Sequence, residues 1–306
     1  MGIATFRNPG HMLSNLNLRF IPNGGDGNAN TVISFSDQSI VRELVDTNAS
    51  PIGNVTYTGA AIAISGKAVA TVSAANYVGG EQAAESIVSA FGLQLSAFVQ
   101  AAPGLPLPTS LGGAQIVVKD SKGIERFAPL FYASPTQINF QIPAGTAEGV
   151  ATITITSSAG NISTGLLLVG QVAPALFSAD ATGAGFAAGS ALLVRADNSR
   201  TETNLARYDS ASGKFVALPI DVGGANDQVY LTLYGTGIKN RSGLANVKIK
   251  IGGVDVAADY AGAQGFFVGL DQINVKVPRS LLGRGEVDVS LTVDGKVANT
   301  IKVNVK

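Results

Sequence analysis

Cysteine is missing from all 306 residues, which removes disulfides, thiolate metal sites and a cysteine nucleophile together. Tryptophan is also missing, and histidine occurs once, as His11. With one imidazole, outside the repeat described below, and no G-x-S-x-G elbow, a conventional serine triad is not expected. Charge is scarce as well. Asp, Glu, Lys and Arg make up 14% of the chain, about half the ordinary share. Twenty-one basic residues balance 21 acidic ones, so no long-range field draws in a polyanion and nucleic acid is not an expected partner. No run reaches the roughly 20 apolar residues that cross a bilayer, so no transmembrane segment is expected. Met1 to Gly10 shows no basic stretch followed by an apolar core, so no signal peptide is visible in these residues.

What is present is the punctuation of a β protein. The 46% hydrophobic content comes mainly from small and β-branched residues, and 37 Gly and 12 Pro fall between short apolar runs. The chain also repeats itself. Gln137-Ile138-Asn139-Phe140-Gln141-Ile142-Pro143 and Gln272-Ile273-Asn274-Val275-Lys276-Val277-Pro278 share the pattern Q-I-N-apolar-x-apolar-P. Each is followed by a polar turn and an alternating segment, Gly149 to Ile155 or Gly285 to Leu291. Alternation of period two marks a strand with one buried and one wet face. Second turns, Ser158 to Asn161 and Asp294 to Lys296, lead to closing strands at Leu166 to Val169 and Ile301 to Val305. Upstream, Ile87 to Gly92 parallels Val229 to Gly235, and Ala114 to Val118 parallels Val247 to Ile251.

These matches predict an all-β chain of two tandem immunoglobulin-like β-sandwiches at residues 69–171 and 172–306. The second carries an insertion at about 180–224. Residues 1–68 form an N-terminal β segment, with strands expected at Leu16 to Ile21, Val32 to Phe35 and Ala61 to Ile64. Pro103 to Pro108 is an extended loop. Gln82-Ala83-Ala84-Glu85 favours helix, although the repeat argues for strand over the residues that follow.

Several motifs resemble those of a known family. They are Ala74-Ala75-Asn76-Tyr77, Ser86 to Gly92, Leu107 to Gly113, Ala128 to Asn139, Leu233 to Ile238 and Gly269 to Asn274. Together they resemble the Solibacter-type C-terminal domain found at the ends of large exported Acidobacterial proteins. The resemblance covers about residues 69–306. It implies folds of the IPT/TIG kind, a bacterial extracellular or cell-surface location and no enzyme activity, and on that ground we expect the numbering to begin after a removed signal. Residues 1–68 lie outside it.

The candidate residues each have a plain alternative. Gln137, Asn139, Gln272 and Asn274 carry amides able to hydrogen-bond sugars, but in alternating strands they are expected to be structural, tying neighbouring loops to backbone, with Pro143 and Pro278 ending the strands. Asp255, Asp259 and Asp271 read as scattered acids rather than a catalytic pair. Gly183 to Gly189 mimics a dinucleotide-binding loop without the strand-turn-helix context that such a loop needs. Asn23 to Asn28 offers oxygen ligands of the kind calcium prefers, on one loop with one carboxylate. Four N-x-S/T sequons, at Asn48, Asn54, Asn161 and Asn240, read as incidental. No catalytic residue, metal or cofactor is expected.

The expected function is a non-catalytic structural or adhesive surface protein whose partners are other copies of itself or cell-surface and matrix components. Leu16, Leu18 and Phe20 form a candidate assembly strand that could be donated to a neighbour's sheet edge to build a filament or layer. The alternative is a secreted carbohydrate-binding accessory protein.

Overall fold

The computed structural model describes residues 29–33, 60–64 and 67–306. The chain divides into a unit Met1–Ala68 and a unit Val69–Lys306. In the first, Ala29–Ile33 pairs antiparallel with Ala60–Ile64, Ala29 opposite Ile64. Leu16, Leu18, Phe20, His11 and the Asn23 to Asn28 turn lie outside the described residues.

The second unit is all-β, with two short 3-10 turns at Leu244–Asn246 and Arg279–Leu281. It holds two sandwiches. In the first, one sheet runs Glu125–Phe127, Ala114–Lys119, Gly149–Ser157, Ile162–Gly170, and Glu81–Ala83 adds parallel to the last of these. The facing sheet runs Ala70–Ser73, Ile87–Phe91, Gln137–Gln141, Leu130–Ala133, Gln100–Ala101. Alternation decides what lies between them: Val88, Ile138 and Phe140 from one sheet meet Ile116, Ile153, Ile155 and Leu167 from the other, all buried.

The second sandwich repeats this plan. Asp271–Lys276 lies between Gln228–Thr236 and Ala258–Ala263, and the opposite sheet runs Val254–Val256, Val247–Ile251, Gly285–Val293, Ile301–Val305. Its core is entirely aliphatic, with Leu231, Ile249, Ile273, Leu291 and Val303 at its centre. Register makes the correspondence quantitative. Asn139 sits opposite Ser89 and Tyr132, and Asn274 sits opposite Thr232 and Tyr260. Both copies carry a bulge just before the tyrosine, between Leu130 and Tyr132 and between Ala258 and Tyr260.

Two expectations are corrected. Gln82 to Glu85 is not helical: Glu81–Ala83 is a strand and Glu85 occupies φ 65 in the turn that leads into Ile87–Phe91, the strand that the repeat predicts. Nor is 180–224 an appended insertion throughout. Gly189–Val194 pairs with Gln228–Thr236 as Ala70–Ser73 pairs with Ile87–Phe91. Ile220 bridges Val305 in parallel, as Gln82 pairs with Val169. The added material lies between these positions. It comprises the exposed edge strand Arg200–Asn204 and the hairpin Ala206–Asp209/Lys214–Ala217. Gly189–Val194 and Ala70–Ser73 carry no shared motif, so the sequence repeat could not register them.

The sandwiches are tied by the turn that breaks the expected helix. Glu85 pairs with Lys239 at 2.5 Å and Glu81 with Lys296 at 2.5 Å. Asn240 Nδ2 donates to Ala84 O at 3.1 Å. Buried Thr236 accepts from Ile87 N at 2.9 Å and donates to Gly269 O at 2.8 Å. A Cβ on Gly269, whose φ is +72, would stand 2.7 Å from Ile87 Cγ1, so the backbone must be glycine to come this close.

Candidate functional site

The repeated Gln-x-Asn pair occupies the outer face of each sheet, because Ile138 and Ile273 between the amides point into the cores. Gln137 Nε2 donates to Asn139 Oδ1 at 2.9 Å, and Gln272 Nε2 donates to Asn274 Oδ1 at 2.8 Å. The neighbouring strand supplies a hydroxyl to the same oxygen, Ser89 Oγ at 2.9 Å in the first copy and Thr232 Oγ1 at 3.4 Å in the second. The amides therefore tie to each other and across the sheet, rather than to neighbouring loops. Among the described residues, Asn139 Nδ2, Gln137 Oε1, Asn274 Nδ2 and Gln272 Oε1 have no hydrogen-bond partner. Each face thus keeps one amide donor and one amide acceptor, both on half-buried side chains.

Aromatic rings flank the amides. Tyr132 and Tyr260 are the cross-strand neighbours of Asn139 and Asn274, close enough for side-chain contact on a common face. On the other side Phe91 stands opposite Gln137, and Tyr234 opposite Gln272. Tyr77 extends the first face, its ring centroid 6.5 Å from that of Phe91. Tyr260 is braced by its hydroxyl, which donates to Ala263 O at 2.5 Å. The tyrosines escaped the sequence comparison because Tyr132 lies five residues before Gln137, whereas a longer loop puts Tyr260 twelve before Gln272. The signal that could have found them is the dipeptide Tyr-Ala, Tyr132-Ala133 and Tyr260-Ala261, at the same bulge.

Pro143 and Pro278 end their strands, and each carbonyl then accepts from the amide three residues on, Thr146 or Leu281. Asp271 stands where the first copy has Thr136. It is buried, and its Oδ2 accepts from Ile238 N at 2.6 Å and Lys239 N at 3.2 Å, while Oδ1 has no partner. Burial raises its pKa above the ordinary carboxylate value, against the lowering effect of those two N–H groups. Asp255 instead pairs with Lys250 at 2.6 Å, away from Asp271. Asp255 and Asp259 line an open groove with Lys276 and Arg279, where Arg279 is engaged by the carbonyls of Val222 and Gly224. Gly183 lies against Asn76 of the first sandwich, a packing contact rather than a phosphate loop. Asn240 of the fourth sequon is held in the junction. No group of three or more metal-ligating side chains occurs among the described residues. No helix of the described residues is long and apolar enough to cross a membrane.

Asp120 holds the turn before Glu125–Phe127. Burial works against its charge, but the N–H groups of Ile124, Ala147 and Lys122 and the Arg126 guanidinium, at 2.7 Å, outweigh burial and lower its pKa to about 2.

The arrangement defines the class: a tandem immunoglobulin-like β-sandwich protein with a duplicated amide and tyrosine face. No protein-family model matches the chain, and no curated protein matches it. Among solved structures, it is similar to SGBP-B of the Bacteroides ovatus mixed-linkage glucan utilization locus, in complex with mixed-linkage heptasaccharide. The identity is 12% and the TM-score 0.31, over 92% of this chain and 60% of that one. The chain therefore spans three-fifths of the length of that structure.

Proposed function

We propose that this protein is a non-catalytic, exported carbohydrate-binding module that presents one binding face on each sandwich. The observation that carries this reading is the recurrence, in both copies, of an amide with a free donor, an amide with a free acceptor and a neighbouring tyrosine on an outer sheet face. A pyranose ring has apolar C–H faces and a rim of vicinal hydroxyls. A tyrosine ring takes the first, and the Tyr260 ring is held for it by the bond from its hydroxyl to Ala263 O. An amide donor and acceptor side by side take the second, one hydroxyl donating and the next accepting. The low surface charge suits a neutral ligand. The resemblance of residues 69–306 to the Solibacter-type domain supports an extracellular setting.

Electrophoresis through gels containing neutral polysaccharides, including mixed-linkage β-glucan, xylan and mannan, tests it. At least one polysaccharide retards the full chain, and the double variant Tyr132→Ala/Tyr260→Ala, folded by circular dichroism, migrates freely. If none of the panel retards the wild type, the reading fails.

A second reading, a rigid structural or adhesive spacer, is favoured by the junction. Two ion pairs, Thr236 and the Gly269 contact fix one sandwich on the other. The two readings are compatible, since sandwiches fixed on one another present their two faces at a fixed spacing.

A further inference from the structure

Gly262 lies on the outer face of the second sandwich, directly opposite Gln272 and two residues along its strand from Tyr260. A Cβ there would stand 3.0 Å from Tyr260 Oη and 3.4 Å from Arg241 Nη1, so the missing side chain lets both groups lie down on the sheet. The Tyr260 ring leans along its strand to reach Ala263 O. Arg241 arrives from the loop after Gln228–Thr236 and sets its guanidinium beside that ring, on the face that carries Gln272 and Asn274.

Among the described residues, no oxygen accepts from the Arg241 guanidinium, although the side chain is half-buried and its Nε is sealed from water. Asp294 is near, but both of its oxygens are taken by Ser242, whose N–H and hydroxyl donate at 2.8 and 2.6 Å. The bonds from the Ser242 hydroxyl and N–H are the main causes of the lowered Asp294 pKa, and Arg241 adds only a coulombic share. A charged donor kept from water without an acceptor is a cost to the fold, and one that a ligand anion would relieve.

The first copy builds the same face without this cation. Tyr234 and Phe91 stand opposite the two glutamines. Three residues on, Gly237 and Gln94 both take positive φ, at 75 and 56, and the next residues, Ile238 and Leu95, are both fully buried. Arg241 therefore corresponds to Phe98, and Gly262 to Ser134, whose Oγ accepts from Gln137 N at 3.0 Å. The fold does not require the arginine. Lys276, in place of Gln141, lies further along the second face, but it lines the groove with Asp227, Asp255 and Asp259 and is set among acids. We infer that the second face prefers a uronic acid to a neutral sugar, Arg241 taking the carboxylate while the ring stacks on Tyr260 and its hydroxyls meet Gln272 and Asn274. The planar guanidinium fork matches a carboxylate two bonds at a time, and the carboxyl of a uronic acid projects from the rim of the ring, level with its hydroxyls. The inference rests on the glycan reading above and names the sugar class that one of its two faces favours. The first face, with no cation at these positions, makes no such distinction.

Affinity electrophoresis of the full chain, carrying Asn139→Ala to silence the first face, measures dissociation constants for glucuronoxylan and polygalacturonate, each native and after reduction of its carboxyls to hydroxymethyl groups. At least one native polymer binds about tenfold more tightly than its reduced form, the scale of one charge-assisted contact. The preference disappears when Arg241→Gln is added and persists when Lys276→Gln is added instead, both chains being folded by circular dichroism and melting temperature. Equal binding of native and reduced polymers overturns the inference and leaves the glycan reading standing. A preference that survives Arg241→Gln, or that Lys276→Gln abolishes, also overturns it, since net charge rather than this site is then the cause. If neither polymer binds in either form, the inference fails, and the neutral polysaccharides alone decide the glycan reading.

Discussion

Replacing Asp271 by Ala tests how the second sandwich holds the first. The change leaves Ile238 N, which is buried, and Lys239 N, which is half-buried, without their acceptor. A buried donor stripped of its partner costs about 1–3 kcal/mol, and the Lys239 amide, nearer water, costs less. Against this, removing the carboxylate relieves the burial of a charge whose Oδ1 has no partner. The net expected loss at pH 7 is about 2 kcal/mol. It is felt at the junction, because the same loop carries the Lys239 pair with Glu85 and the Asn240 bond to Ala84. The pH dependence has a definite sign. A carboxyl whose folded pKa is raised binds its proton more tightly folded than unfolded, so wild type gains stability as pH falls through the raised value toward about 4. The gap between wild type and Asp271→Ala therefore widens on acidification. Asp271→Asn keeps an oxygen for both N–H groups without a charge, and stays within about 1 kcal/mol of wild type at pH 7. Differential scanning calorimetry between pH 4 and 7, which separates the transitions of different domains, reads these differences. An Asn variant as unstable as the Ala variant, or a gap that narrows at low pH, refutes the reasoning.

Asp120 gives the opposite sign. Its lowered pKa contributes stability that is complete above about pH 4 and is lost as pH falls through about 2, so Asp120→Asn flattens the acid limb of the first sandwich's melting curve. Phe140→Ala, at a fully buried site, lowers the stability of the first sandwich by about 3–5 kcal/mol in denaturant titrations. Gly237→Ala, at φ +75 with its Cβ 2.2 Å from Ala173 O, destabilises by more than about 1 kcal/mol in the same assay.

The sequence carried the repeat because the repeat lives in strands whose buried side chains cannot vary freely. Ile138 and Ile273 fill equivalent core positions, and the amides beside them share a face by period two alone. What it concealed is what depends on cross-strand register. Tyr132 and Tyr260 meet Asn139 and Asn274 only once the hairpins close, and loops of unequal length hide their common position. Gly189–Val194, paired on both sides, and the edge strand Ala70–Ser73 share no motif, so their equivalence shows in pairing rather than in letters. The Glu81 to Glu85 segment has helix-favouring residues, yet the parallel pairing of Glu81–Ala83 with Leu168–Gly170 and the ion pairs of Glu81 and Glu85 hold it in strand and turn. Tertiary contacts here outweigh local propensity.

The central claim, that each sandwich carries one glycan-binding face, is tested most directly by calorimetric titration with an oligosaccharide cut from whichever polysaccharide retards the chain. Wild type is expected to show two sites per chain. Asn139→Ala and Asn274→Ala each leave one, and the double variant leaves none, with the melting temperature of all three close to wild type because the amides lie on outer faces. Unchanged binding in the double variant, or a single site lost by neither substitution, would contradict the account.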